Sequence, residues 1–201
     1  FKEHGVLSGR SVNALSCIFK IMNQPYQVKV VPWKRAQSDV QTGNAHGFFT
    51  AMPITEVEQY AIRSSPLALE KWYWYFKDKN LFKNRNYRNS IEVGAIRGRK
   101  QNTWLEDQFH PIILKVDKPK QLFELIKIDR INTFMEDQRS YYEYASTLDF
   151  DTKQLYSKFE KYMPLGVYFS NTFISNNRDF LKSFNTNISI CVPDAIRLNI
   201  Q

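Results

Sequence analysis

The run Ile131–Met135 is apolar and ends in Glu136-Asp137. A carboxylate at a strand end is well placed to hold a ligand ammonium, since charge-assisted hydrogen bonds are the strong ones. Asp137 suits equally the N-cap of a helix running from Arg139. Arg97-Gly98-Arg99-Lys100 stands just before Gln101, where a helical pattern begins. Free N–H groups and the helix dipole attract anions there, and Arg97, Arg99 and Lys100 would strengthen that capture. The plainer alternative is a solvated basic turn. Trp33, Phe49, Trp72 and Trp104 are candidates for the walls of a pocket, although most aromatics at these spacings build cores.

Other chemistries find little support. Cys17 and Cys191 stand far apart, and His4, His46 and His110 are isolated, so neither a zinc site nor a cofactor is expected. The two cysteines can form one disulfide or remain two buried thiols. Glu58, Asp137 and His46 are the candidates for acid–base work, but no nucleophile, phosphate loop or metal cluster accompanies them, and an enzyme is not expected. The net charge of +8 draws the chain towards anionic partners. Dense basic runs occur only at residues 83–88 and 97–100, outside any nucleic-acid motif, so nucleic acid is not the expected partner.

The elements that must position these groups follow from periodicity. Val12, Leu15, Ile18, Phe19 and Met22 fall at helical spacing. Pro25 ends that helix, and Tyr26–Val31 alternates as a strand does. Pro32 opens a second helix towards Gly43, and Gly47-Phe48-Phe49 reads as a buried strand. Lys71–Phe76 is an aromatic strand, and the polar stretch Lys77–Asn89 reads as a connector between lobes. Strands at Ile91–Ile96, Ile112–Val116 and Ile131–Met135 then alternate with helices at Gln101–Phe109 and Lys120–Ile128. A second polar stretch leads to a strand at Leu165–Phe169, and Asn176–Phe184 closes the pattern as a helix. This rhythm belongs to α/β folds, whose ligands lie beyond the carboxyl ends of strands.

In order and spacing, several strings resemble the family 3 extracellular solute-binding proteins of bacteria. They are Val31-Pro-Trp-Lys-Arg-Ala36, Gly43–Phe49, Ile54-Thr-Glu56 and Ser64-Ser-Pro66, then Val93–Gly98, Arg130–Asp137 and Leu165–Phe169. The resemblance implies a two-lobed, type 2 periplasmic-binding fold, each lobe a mostly parallel sheet flanked by helices, with the ligand cleft between lobes. Lobe 1 would comprise 1–82 plus 167–201, and lobe 2 would comprise 83–166. The family has a strand ahead of Gly5–Gly9, so the first strand of lobe 1 is expected to be missing.

The resemblance further implies a monomeric periplasmic receptor for a small polar solute, working with a membrane permease or a signalling partner. It places Thr50, Ser65 and Asp137 at ligand-contacting positions, with Glu58, Trp72, Arg97, Arg99, Lys100 and Gln101 as this chain's further candidates. Where amino-acid binders carry the Arg of a Thr-Glu-x-Arg signature, this chain reads Thr55-Glu56-Val57-Glu58. A Glu there repels the carboxylate that an Arg fork would grip. If Glu58 and Asp137 both face the ligand, a cationic or amine-bearing solute is implied. The alternatives are an extracytoplasmic sensory domain of a signalling protein, a dehydratase-like enzyme on the same fold, and a scaffold that keeps the shape without a ligand.

Overall fold

The computed structural model describes residues 2–192 except 4, 5, 8, 84, 85, 87, 88 and 109. Gly5 and Ser8 of the opening motif, and the basic positions 85 and 88, lie outside the described residues. The chain forms two compact units, Phe1–Leu69 with Met163–Gln201, and Glu70–Tyr162. The divisions fall inside two strands, β5 (Ala68–Phe76) and β9 (Tyr156–Ser170). The polar stretch Lys77–Asn89 therefore lies within the second unit, where α3 (Lys79–Lys83) interrupts it.

Unit 1 opens with a two-stranded ladder, β1 (Lys2–Glu3) with β2 (Val6–Leu7), followed by α1 (Arg10–Ile21). The helical spacing puts Leu15, Ile18 and Phe19 of α1 on one face. They pack against Phe180, Phe184 and Ile188 of α8 (Phe180–Cys191) and against Val167 and Phe169 of β9. Side chains on a strand alternate in direction. Tyr168, between those two, accordingly joins a separate cluster with Val40 of α2 (Trp33–Gln41), Phe48 of β3 (Gly47–Ala51) and Val57. Both β3 and β4 (Ala61–Arg63) pair antiparallel with β9.

Tyr26–Val31 differs from expectation. It alternates like a strand but joins no ladder among the described residues, and Tyr26, Val30 and Val31 are exposed. Pattern alone does not make a strand, because its backbone groups need a partner edge. The last helix also lies further along than expected: α7 (Asn171–Asn176) and α8 replace the single helix at Asn176–Phe184.

Unit 2 holds the parallel pairings. There β6 (Val93–Ile96) runs parallel to β7 (Ile112–Val116) and to β8 (Thr133–Asp137), while β5 pairs antiparallel with β8. Between the strands come α4 (Lys100–Asp107) and α5 (Pro119–Lys127). The polar stretch after Asp137 forms α6 (Gln138–Thr147), because Tyr141 and Ala145 lie four residues apart on one buried face. Tyr141 stacks on Tyr75 of β5 with ring centroids 3.7 Å apart, within a core of Leu122, Phe123, Ile126, Ile131 and Phe134.

Cys17 of α1 and Cys191 of α8 are bridged, with Cα atoms 5.8 Å apart. This settles the alternative left open by the sequence: helix packing brings two residues 174 positions apart into register. In the chain-entropy view a loop of that size restricts the unfolded state strongly, and removing such a bridge costs about 2–5 kcal/mol. Replacing Cys17 and Cys191 together by Ser is expected to lower the melting temperature by several degrees. Reductant should reproduce the shift in the native chain and leave the double variant unchanged, as read by circular dichroism melts.

Candidate functional site

The register of β5 against β8 decides which polar groups meet in unit 2. Trp72 stands opposite Asp137, and Tyr73 opposite Glu136. Glu70, two residues before Trp72, shares its face of β5. The Trp72 indole is fully buried and donates from Nε1 to Glu70 Oε2 at 3.1 Å. Trp104 of α4 meets the Trp72 ring edge-on at 6.2 Å, and Lys161 Nζ lies 5.5 Å from the Trp104 ring centre.

The strand-to-helix turn after β6 brings the second set. Gly98 adopts φ 69, a left-handed conformation that costs other residues more. The turn delivers Arg99 immediately ahead of α4 and Lys100 and Gln101 into its first residues. Gln101 is buried and donates from Nε2 to Glu136 Oε1 at 3.0 Å, and the Asp137 backbone N–H donates to the same oxygen at 2.9 Å. Asp137 Oδ1 accepts from the Ser140 backbone N–H at 2.9 Å and so caps α6. The cap expected as the plainer role of Asp137 is thus present. Arg99 donates to the Tyr144 hydroxyl of α6, its guanidinium 5.6 Å from that ring's centre.

Electrostatics single out Glu136. Only 2% of its surface is exposed, and burial, with Asp137 beside it as the next cause, pushes its carboxyl up to about 8. Burial also raises Glu70, against the opposing pull of Lys100. Tyr144 is raised by burial, partly offset by Arg99. Carboxyls ordinarily titrate near 4, so at neutral pH Glu136, raised to about 8, is a carboxylic acid.

The expected site residues therefore fall into separate groups. Trp72, Arg99, Lys100, Gln101 and Asp137 come together in unit 2. Arg97 turns elsewhere: its guanidinium donates to the Lys115 carbonyl at 2.9 Å and pairs with Asp117 at 3.1 Å. Thr50, Glu58 and Ser65 belong to unit 1. Thr50 sits where the β3–β9 register shifts, between Phe49 and Ala51. The Ser65 backbone N–H donates to Asn185 Oδ1 at 2.8 Å. Glu58 is exposed and lines an open depression with Ala61, Ile62, Arg63 and Asn171. It accepts from the Tyr168 hydroxyl at 3.3 Å, and that hydroxyl accepts from the Ile54 N–H at 2.8 Å. Trp33 rests edge-on upon Phe48 at 5.2 Å, and Phe49 packs against the α1–α8 core. His46 is exposed and stacked on Phe173 at 4.6 Å.

Glu70, Glu136 and Tyr144 were not foreseen as members of the site. Glu136 could have been suspected from its place beside Asp137 at a strand end. Glu70 and Tyr144 become visible only once β5 is paired with β8 and α6 is formed. Among the described residues no group of three or more His, Cys, Asp and Glu could hold a metal ion.

No family model and no curated protein matches the chain. Solved structures do match its fold over nearly its whole length. The arginine-, lysine-, histidine-binding protein ArtJ from Geobacillus stearothermophilus aligns with a TM-score of 0.64 and 14% identity, covering 99% of this chain and 87% of that one. A histidine kinase sensor domain with similarity to periplasmic binding proteins gives 0.69 and 11%, covering 99% and 88%. An ancestral amino acid-binding protein, a precursor of cyclohexadienyl dehydratase, gives 0.65 and 14%, covering 98% and 86%. The chain has the fold of the two-lobed periplasmic binding proteins. In open α/β sheets the carboxyl ends of strands are where ligands are met. Glu136 and Asp137 occupy such an end.

The buried acid has a consequence for stability. The folded protein holds a proton on Glu136 that the unfolded chain loses near pH 4.5, so stability falls as pH rises from there to about 8 and then levels. Glu136→Gln keeps an oxygen that can accept from Gln101 and from the Asp137 N–H. Melts of both proteins from pH 5 to pH 9 should show the variant gaining on the native chain with rising pH, by about 2–5 kcal/mol over the range.

Proposed function

We propose that this chain is an extracytoplasmic receptor that captures a small polar solute by closure of its two lobes and presents it to an ABC-type transporter. The observation that carries the reading is the cluster of Glu70, Trp72, Arg99, Gln101, Glu136 and Asp137, gathered at the end of β8 and the first turns of α4 and α6. Buried polar groups cost stability unless they are satisfied or serve a ligand. The bridged Cys17–Cys191 pair suits an oxidising compartment such as the bacterial periplasm. No helix among the described residues is long and apolar enough to cross a membrane.

The cluster favours binding over catalysis. Its groups are tied to one another: Asp137 caps a helix, Gln101 and Glu136 are mutually bonded, and Arg99 is held by Tyr144. Such ties fix donors and acceptors in the way recognition requires. Solute contact is assigned to the unit 2 cluster, with Thr50, Glu58 and Ser65 as the unit 1 contribution and no cofactor. The sensing variant, in which the same domain serves a membrane kinase, is favoured by the match to the kinase sensor domain.

The test is a panel of amino acids, amines, organic acids and sugars at millimolar concentration, read by tryptophan fluorescence and thermal shift. Trp72 and Trp104 lie within or beside the cluster and should report occupancy. A true solute at a hundredfold over its dissociation constant stabilises by about 2.7 kcal/mol, a rise of several degrees. Silence across the whole panel would refute the receptor reading and leave the ligand-free scaffold.

A further inference from the structure

A second gathering of polar groups lies in unit 1 and shares no residue with those assigned to solute capture. The β3–β9 register sets Gly47 opposite Phe169, and the Ser170 N–H donates to the His46 carbonyl at 2.9 Å. The chain enters α7 directly after Ser170, which returns Phe173 to His46. Their rings stack with centroids 4.6 Å apart and an interplanar angle of 24°. Phe180 meets Phe173 edge-on at 4.8 Å and holds it to the α1–α8 core. The platform is thus pre-formed. It lines a depression of about 290 Å³, at the small end of the range for ligand sites. Ser170, in the same lining, is only 6% exposed. Its Oγ accepts from the Phe173 N–H at 3.1 Å, but its O–H is given to no acceptor among the described residues. A buried hydroxyl with an idle proton is unfavourable unless a ligand or a water accepts it. The His46 imidazole, the Thr172 hydroxyl and the Asn176 amide also line the depression and make no hydrogen bond among the described residues. Asn177 gives its Nδ2 to the Phe173 carbonyl at 2.9 Å and keeps its Oδ1. No Asp, Glu, Lys or Arg is part of the lining.

We propose that this depression is a second binding site, for the neutral base of a free nucleoside. The ligand must be uncharged, because no carboxylate, ammonium or guanidinium of the lining would neutralise a charge drawn out of water. It must be flat, because the stacked pair offers an aromatic face, and bases stack on the rings of Phe and His. It must carry donors and acceptors around its rim, to meet the Ser170 and Thr172 hydroxyls and the amides of Asn176 and Asn177. An Asn amide gives and takes a hydrogen bond on adenine at the same time. A hexose meets the first and third conditions but has no flat aromatic face. Adenosine meets all three. The site stands apart from the receptor reading, which rests on the cluster in unit 2.

The experiment is titration of the whole isotope-labelled chain with adenosine and, separately, with ribose, read by nuclear magnetic resonance. Adenosine should bind with a dissociation constant of about 1 mM, the strength of one stacked base with a few half-exposed hydrogen bonds. Its ring protons should move upfield as they enter the ring current, and the Asn176 side-chain amide signals should shift. Ribose should leave the spectrum unchanged. His46 and Asn176 are exposed, so replacing either should leave the melting temperature close to that of the native chain. His46→Ala should weaken adenosine about tenfold, whereas His46→Phe, which keeps a ring, should hold it within about threefold. Asn176→Ala should weaken it by about fivefold. Ribose binding as tight as that of adenosine would overturn the proposal, as would an unchanged spectrum at about 10 mM adenosine. Adenosine that binds His46→Ala as well as the native chain would also overturn it, and would count instead for capture elsewhere, as the receptor reading holds.

Discussion

Two adjacent carboxyl groups at the end of β8 impose the main constraint on unit 2. Glu136 and Asp137 are both buried, and like charges that close cannot both ionise out of water without a large penalty. The structure answers by giving each a different task. Asp137 caps the first turn of α6, where free N–H groups and the helix dipole favour an acceptor. Glu136 keeps its proton and accepts from Gln101 and from the chain itself. The helices α4 and α6 are thereby tied to one strand end through two neighbouring residues.

The two helix starts are treated differently, and the difference bears on recognition. The α6 terminus carries its own carboxylate cap, whereas Arg99, which precedes α4, provides no side-chain cap. A basic turn of this kind would attract anions if its charges were unspent. Arg97 is paired with Asp117 at the surface and Arg99 is held by the phenol of Tyr144, so two of the three basic side chains that looked ready for an anion are engaged by the chain itself.

Unit 1 is organised around β9. Val167 and Phe169 point to the α1–α8 helix pair and Tyr168 to the cluster beside α2, so a single strand seats two cores. The bridge between Cys17 and Cys191 fastens α1 to α8 on one side. On the other side the Tyr168 hydroxyl fixes the Ile54 backbone and reaches Glu58. Glu58 is thus held by a buried phenol.

Local pattern was enough to read most elements and the α/β class, since side-chain periodicity records which face of a helix or strand is buried. The helices and strands of unit 2 from Val93 to Asp137, and α1 in unit 1, lie close to where the spacing put them. Adjacent chemistry was also legible: Asp137 at a strand end, basic residues before α4. What depends on partners distant in the chain was not. Tyr26–Val31 has a strand's sequence but joins no ladder among the described residues, α6 was hidden in a polar stretch until Tyr141 found Tyr75, and the state of the two cysteines waited on the packing of α1 against α8. Register is the physical reason. Whether Trp72 stands opposite Asp137, and so whether Glu70 and Asp137 share one face, depends on how β5 slides along β8, and that is decided by tertiary packing rather than by either segment alone.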